Sequence, residues 1–393
     1  MARKDALFIP VVPSASTGFH ALAEEARQSP DPVSAALGMY LFSNAAWLAQ
    51  EMQQGGFDRI VFIARDGWWV KQAYDLVAPA MGVKVPSDYV RISRQASFPL
   101  HFRTPEELKN LPEWVNITAH TERTLMQLLS PNLLPGAADA AGENRLTETD
   151  LPAFIGACRR LWDASRAEAY RAHAHAYIAP KFAGKCATFD VGYNLRSESV
   201  IRSLTGADVT AFVTHIDSPH PEKRGVPFHT LYPDKPFVSW VAREQFLLED
   251  APLCVGYGEN GPALSAQSAG IHPNMRRCQQ AALDFVMRIV NRYGSRLAEM
   301  PLRPTDGCMP FEHFLHCGPY RLMKPFRQNA VENAFHSGRA GEDSTFLQWR
   351  LMQTDLLLTK GVPHWRVRLK RALIRLREDP QSFLRKLNPF ASE

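Results

Sequence analysis

Apolar residues recur along this chain in two rhythms, one helical and one continuous, and their alternation is the first guide to the fold. From Pro32 to Gln54, the residues Val33, Leu37, Tyr40, Leu41, Ala45 and Leu48 fall at helical spacing, and Gly55-Gly56 supplies a stop. Arg59 to Ala64 is then continuously apolar after its first residue, as in a strand buried on both faces of a parallel sheet. Arg65-Asp66-Gly67 breaks the run. Helical spacing resumes from Trp68 to Pro79 through Trp69, Ala73, Leu76 and Val77, and Tyr89–Ser93 reads as the next strand. The same order returns later. Cys186–Asp190 is a buried-type strand, Gly192-Tyr193-Asn194 a turn, Leu195–Leu204 a helix, and Asp208–Ile216 a following strand. Two β-loop-α-β units predict an α/β fold, with a mostly parallel Rossmann-like sheet flanked by helices.

The remaining segments divide the chain. Residues 1–103 are expected to form the first part of the α/β core, 104–185 a mainly helical insertion and 186–270 the second part of the core. Residues 271–360 form a helical region, and 361–393 a basic amphipathic tail. Within these, Leu151–Ile178 reads as one long helix. Asn274–Leu297, Phe311–Cys317 and Asp343–Leu358 read as further helices. Gly256-Tyr-Gly258-Glu-Asn-Gly261 lacks the strand-to-helix context of a phosphate loop and reads as a turn or hairpin.

Composition narrows the class. The 393 residues are 45% apolar and 22% charged, which supports a sizeable core. The formal charge of +5 lies wholly in residues 361–393, where eight Lys and Arg face three acids. A body with balanced charge argues against a nucleic-acid partner. Six scattered cysteines fit reduced thiols, no apolar stretch reaches membrane-spanning length, and the N-terminus reads against a secretory leader, so a cytoplasmic location is expected. The tail qualifies this. In a helix over His364–Arg377, Trp365, Leu369, Leu373 (or Ala372) and Leu376 form an apolar stripe among Arg366, Lys370, Arg371, Arg375 and Arg377. That pattern suits peripheral attachment to an anionic membrane surface, a partner helix through 364–387, or simple packing with a solvated basic face.

The candidate chemistry sits at the two strand-to-helix corners. Open α/β sheets bind ligands beyond the carboxyl ends of their strands, and Asp66 and Asp190 both fall there, ahead of glycine and a helix. Arg65 is placed to clamp a phosphate or carboxylate. Asp66 and Asp190 are the candidate catalytic pair, as acid and base, hydroxyl-orienting groups or Mg²⁺ ligands. Gly67, Ser93, Arg94, Gly192, Tyr193, Asn194, Ser197 and Glu249 are candidate substrate contacts, and Glu244 is a further carboxylate near the last of these. The competing reading of either aspartate is a helix cap. Trp68-Trp69 fits either a stacking wall or core packing. The Cys308, His313, His316 and Cys317 spacing matches no common closed zinc site.

At these corners the chain resembles a known set of proteins. Phe62-Ile-Ala-Arg-Asp-Gly-Trp68, Arg91-Ile-Ser-Arg-Gln-Ala96, Phe189-Asp-Val-Gly-Tyr193, Leu247-Leu-Glu-Asp-Ala-Pro252 and Gly256-Tyr257 are similar in order and spacing to motifs in bacterial haloacid-dehalogenase-type hydrolases of surface-polysaccharide biosynthesis. The resemblance covers roughly residues 35 to 335 and corresponds to the region downstream of their phosphatase domain. No Asp-x-Asp nucleophile precedes Arg65, so aspartyl-phosphate chemistry does not carry over. What the resemblance implies is a role with a phosphorylated or nucleotide-linked sugar, as a phosphate-ester hydrolase or transferase, or as a non-catalytic binding or scaffold module of a glycan-assembly complex. A second resemblance, at the level of loop roles, is to phosphoribosyltransferases, with Ile63–Gly67 and Phe189–Asn194 as the pyrophosphate and ribose-phosphate loops. This chain departs from them in carrying one acid where they carry two.

Overall fold

A computed structural model describes residues 17–129, 132–134, 141–217, 221–233, 240–266, 270–327, 344–354, 361–378 and 380. Asp343, residues 355–358 and the segment 381–387 lie outside the described residues. The main sheet has five strands, all parallel. They are β1 (Arg59–Ile63), β2 (Ser87–Val90), β3 (Cys186–Asp190), β4 (Val209–Val213) and β5 (Phe228–Thr230), in the spatial order β2-β1-β3-β4-β5. The chain steps outward from β1 to β2, returns to the other side of β1 as β3, and continues outward to β4 and β5. β1 and β3 are therefore neighbours whose onward connections leave in opposite directions. This is the switch point at which doubly wound sheets open a crevice.

Side chains alternate across the sheet, and both faces are covered. Ile60, Phe62, Ala187 and Phe189 pack into a core shared with α2 (Pro32–Gly55), α3 (Trp68–Ala80) and α10 (Pro273–Tyr293). Val61, Ile63 and Cys186 point the other way, into a core with α7 (Ala164–Ile178) and α8 (Arg196–Thr205). This explains why the strands read as unbroken apolar runs. Helix α2 is buried almost throughout. Asp31 caps its start by accepting the Val33 and Ser34 N–H groups, and Gly56, at φ 61°, ends it. Gly38 lets α10 approach closely, since a Cβ there would lie 2.7 Å from the Phe285 ring. Helix α11 (Pro304–Cys317) also packs along α2.

Several elements escaped the sequence pattern. Among them are α1 (Thr17–Arg27), the three-residue edge strand β5, and α9 (Trp240–Leu247). Other expectations need correction. The helix expected over Leu151–Ile178 is two helices, α6 (Leu151–Leu161) and α7, because Trp162 is extended and the Asp163 side chain caps a new start through the Arg166 N–H. The strand expected at Tyr89–Ser93 ends at Val90, and Ser93 instead caps the short helix α4 (Arg94–Ser97). The insertion between β2 and β3 carries 3₁₀ turns with α5 (Glu122–Leu129) and α6, around an apolar cluster of its own that includes Phe98, Leu111, Leu125 and Phe154. The glycine-rich segment is a hairpin, β6 (Cys254–Gly258) against β7 (Gly261–Leu264).

Among the described residues no helix is long and apolar enough to cross a membrane. The last two helices are α12 (Ser344–Met352) and α13 (His364–Glu378). α13 docks through Val367 and Ile374, and its Arg371 Nε donates to Thr354 Oγ1 at 2.7 Å. The stripe read from the sequence is not the docked face. Trp365, Leu369, Leu373 and Leu376 are 62%, 54%, 57% and 43% exposed.

Candidate functional site

Each corner of the site is built by a strand that ends abruptly. After β1 the chain turns so tightly that the Gly67 N–H donates to Ile63 O at 2.9 Å. A side chain at Gly67 would bring a Cβ within 2.6 Å of that carbonyl, so the turn requires glycine. After β3 the chain passes through Gly192 at φ 131°, where a Cβ would also meet His215 O at 2.8 Å. The Ala64–Arg65 and Gly192–Tyr193 peptide bonds are both cis. Phe62 lies opposite Phe189 in the β1–β3 register, so Asp66 and Asp190 emerge at the same edge of neighbouring strands.

Neither aspartate caps a helix. The N-cap positions of α3 and α8 are Gly67 and Leu195, and neither helix has a side-chain cap. Asp190 accepts the Gly192 N–H, while Asp66 forms no ion pair among the described residues. Both acids keep some accessible surface, but protein replaces most of the water around them. That desolvation is the first reason both pKa values lie well above the ordinary carboxylate range. The second is like charge. Glu244 and then Asp190 press on Asp66, and Glu198 presses on Asp190. Arg94 opposes the shift at both aspartates, and its Nη2 donates to Glu244 Oε1 at 3.3 Å. Glu198, in the first turn of α8, is 1% exposed and has one carboxylate oxygen without a partner. Burial pushes its pKa up to about 7. The site is a set of carboxyl groups opposed chiefly by the Arg94 guanidinium, with Arg65 adding at Asp66 and Arg243 at Glu244, and it holds protons at pH values where ordinary carboxylates have lost them. No three metal-ligating side chains come together among the described residues.

The other predicted residues fall into two groups. Arg65, Asn194 and Ser197 are partly exposed at the corners. Arg65 makes one side-chain hydrogen bond, from Nη1 to Ala251 O at 3.3 Å, and the side chains of Asn194 and Ser197 make none among the described residues. The second group is engaged in holding the loops. The Gly67 N–H, expected to face an anion, is committed to Ile63. The Ser93 hydroxyl donates to Cys254 O at 2.5 Å and accepts the Ala96 N–H, which ties β2 to the hairpin. Glu249 accepts from Tyr89 Oη at 2.7 Å and Arg91 Nη2 at 3.3 Å, while its own N–H donates to Arg65 O. It fastens the β1 corner to β2 and to the loop after α9. Tyr193 is buried, and its hydroxyl receives Arg243 Nη1 at 3.2 Å. Trp68 meets Tyr89 edge-on at 5.2 Å, and Trp69 packs against the main core. Cys308 is buried, and Cys317 Sγ lies against the His313 ring.

Beneath the crevice, Arg243 of α9 is fully buried and doubly hydrogen-bonded to Glu312 of α11, Nε to Oε1 and Nη2 to Oε2, each at 3.0 Å. One helix thus supplies both an internal anchor and the neighbouring site acid Glu244. Sequence reading weighed Glu244 and missed Glu198 and Arg243. An acid in the first turn of a helix ordinarily reads as a surface group favoured by the helix dipole. Two surface hollows, of about 470 and 460 Å³, lie at the opposite edge of the sheet around Gly82, Lys84 and Pro86, away from these acids. No protein-family model matches the chain, and no curated protein matches it significantly.

Proposed function

We propose that the chain is an enzyme of surface-polysaccharide assembly that acts on a phosphorylated or nucleotide-linked sugar at the β1–β3 crevice. The observation that carries this reading is the pair of uncapped, mutually repelling aspartates at the switch point. Two carboxyl groups in one crevice, both with pKa values raised by burial and like charge, can divide the roles of acid and base. Asp66, pressed by Glu244 and Asp190, is the proton donor to a leaving oxygen. Asp190, steadied by the Gly192 N–H and Arg94, takes the proton of the attacking hydroxyl. Arg65, Asn194 and Ser197 supply the remaining polar contacts. The motif resemblance to the haloacid-dehalogenase-associated proteins supports the substrate class.

Calorimetry with a panel of sugar phosphates and nucleotide sugars, with and without Mg²⁺, tests the reading. Asp66→Asn and Asp190→Asn are each expected to lower turnover of the accepted ligand at least a hundredfold, the usual scale for loss of a general acid or base. Equal turnover by the parent and both variants removes the acid–base assignment.

The same proposal places the protein at the inner face of a membrane. Support comes from the four exposed apolar residues of α13, ringed by Arg366, Arg368, Lys370, Arg375 and Arg377. An apolar stripe with basic flanks inserts into an anionic lipid surface. Flotation with vesicles rich in phosphatidylglycerol is expected to carry the full chain upward at low salt, and Trp365→Ser with Leu369→Ser is expected to abolish this. Binding that is absent from anionic vesicles at every salt concentration overturns it.

A further inference from the structure

A second cluster of charge borders the crevice, and it is of the opposite sign. Arg196 is the first residue of α8, two residues before Glu198. Arg224 ends the 3₁₀ turn Pro221–Arg224 in the connection from β4 to β5. The Nε atoms of both are buried without a partner. Neither guanidinium forms an ion pair among the described residues, and the one hydrogen bond made by either side chain runs from Arg224 Nη2 to Glu113 O at 3.3 Å. The two cations repel each other, and Arg94 adds to the repulsion at Arg196. Trp114 and His101 close one flank. Their rings stack at 3.4 Å, and the Arg224 guanidinium lies 4.3 Å from the Trp114 ring. His101 is held neutral, its pKa pushed down to about 3 by burial and then by Arg196, Arg224 and Arg171. Glu113 offsets part of the charge at Arg224, whereas Arg196 feels only the cations Arg224 and Arg94. A partly desolvated guanidinium held beside like charges is costly in a folded protein unless an anion repays it. A Trp114 ring already engaged by two partners is not an open platform for a nucleobase.

We propose that Arg196 and Arg224 form a phosphoryl subsite, beside the acids and separate from Arg65, that takes the phosphate or diphosphate group of the ligand. The identity of that ligand rests on the phosphosugar reading above, whereas anion binding by these two arginines is tested independently of it. The arrangement sorts the substrate by charge, with its anionic end on the guanidinium pair and its hydroxyl-bearing end facing Asp66 and Asp190.

Inorganic phosphate and pyrophosphate are titrated into the full chain by calorimetry, and the His101 ring is followed by NMR. The parent is expected to bind pyrophosphate more tightly than phosphate and to show a higher His101 pKa when loaded, because the bound anion cancels the local positive field. Arg196→Gln and Arg224→Gln are each expected to weaken pyrophosphate binding at least tenfold, Arg196→Lys to restore part of it, and the exposed control Arg277→Gln to change nothing. Arg196→Gln is also expected to keep or raise the Tm of the empty protein, since it removes a repulsion, which a merely structural arginine would not do. Absence of saturable pyrophosphate binding by the parent, or equal binding by Arg196→Gln and Arg224→Gln, overturns the subsite. The acid–base reading is scored apart, by turnover of Asp66→Asn and Asp190→Asn, so either can fail alone.

Discussion

Replacing Glu312 by alanine is expected to destabilise the fold by about 3–5 kcal/mol, the usual cost of leaving a buried charge without its partner. Arg243 has no water to turn to, because its side chain is fully buried. Its remaining hydrogen bond, to Tyr193 Oη at 3.2 Å, is to a neutral group. The loss should extend beyond stability. Arg243 and Glu312 join α9 to α11 directly beneath the crevice, and the adjacent Glu244 holds Arg94. Urea denaturation checks the magnitude. The double variant Arg243→Met with Glu312→Leu is expected to recover most of the loss, since apolar replacement of a buried pair is often neutral. A single variant that loses less than about 1 kcal/mol, the scale of an exposed pair, sinks the claim that this pair is a sealed internal anchor.

Stability is expected to fall as pH rises from about 5 to 8, and Glu198→Gln is expected to remove much of that fall. The sign follows from linkage. Glu198 titrates near 7 in the folded chain against an ordinary value of 4.5, so the folded state binds the proton more tightly than the unfolded state does. Its contribution is fully favourable below pH 4.5 and is lost as pH climbs through 7. The gap converts to about 3 kcal/mol at 1.36 kcal/mol per pH unit. Asp66 and Asp190 are raised as well and add to the same slope. Because Glu198 presses on Asp190, the acids titrate as a coupled set. Removing Glu198 should therefore also lower the pKa of Asp190 and shift the pH profile of turnover toward acid. Thermal unfolding of the parent and Glu198→Gln across this range is the measurement. Parallel curves would show that Glu198 is ionised and solvated.

The sequence alone determined the two central strands, β1 and β3, and their corners, because each follows from a local rule. Continuous apolar runs at Ile60–Ile63 and Cys186–Phe189 mark doubly covered strands, and Gly67 and Gly192 mark corners too tight for a Cβ. Helix ends were less legible. Trp162-Asp163 breaks a segment whose apolar spacing continues, because a side-chain cap outcompetes one more turn. The tertiary structure decided which polar groups are spent and which remain. Ser93, Tyr193, Glu249 and the Gly67 N–H look available in sequence, yet each is committed to a partner, and Ser93 finds its own 161 residues away at Cys254. Glu198 looks like a surface acid and lies buried beside Asp190. The sequence left the α13 stripe open between packing and an outward-facing role, and the structure turns it outward because Val367 and Ile374 occupy the contact instead. The physical reason is common to all of these. Backbone geometry and apolar periodicity act over a few residues, whereas desolvation and hydrogen-bond satisfaction are set by whatever the folded chain brings within about 3 Å.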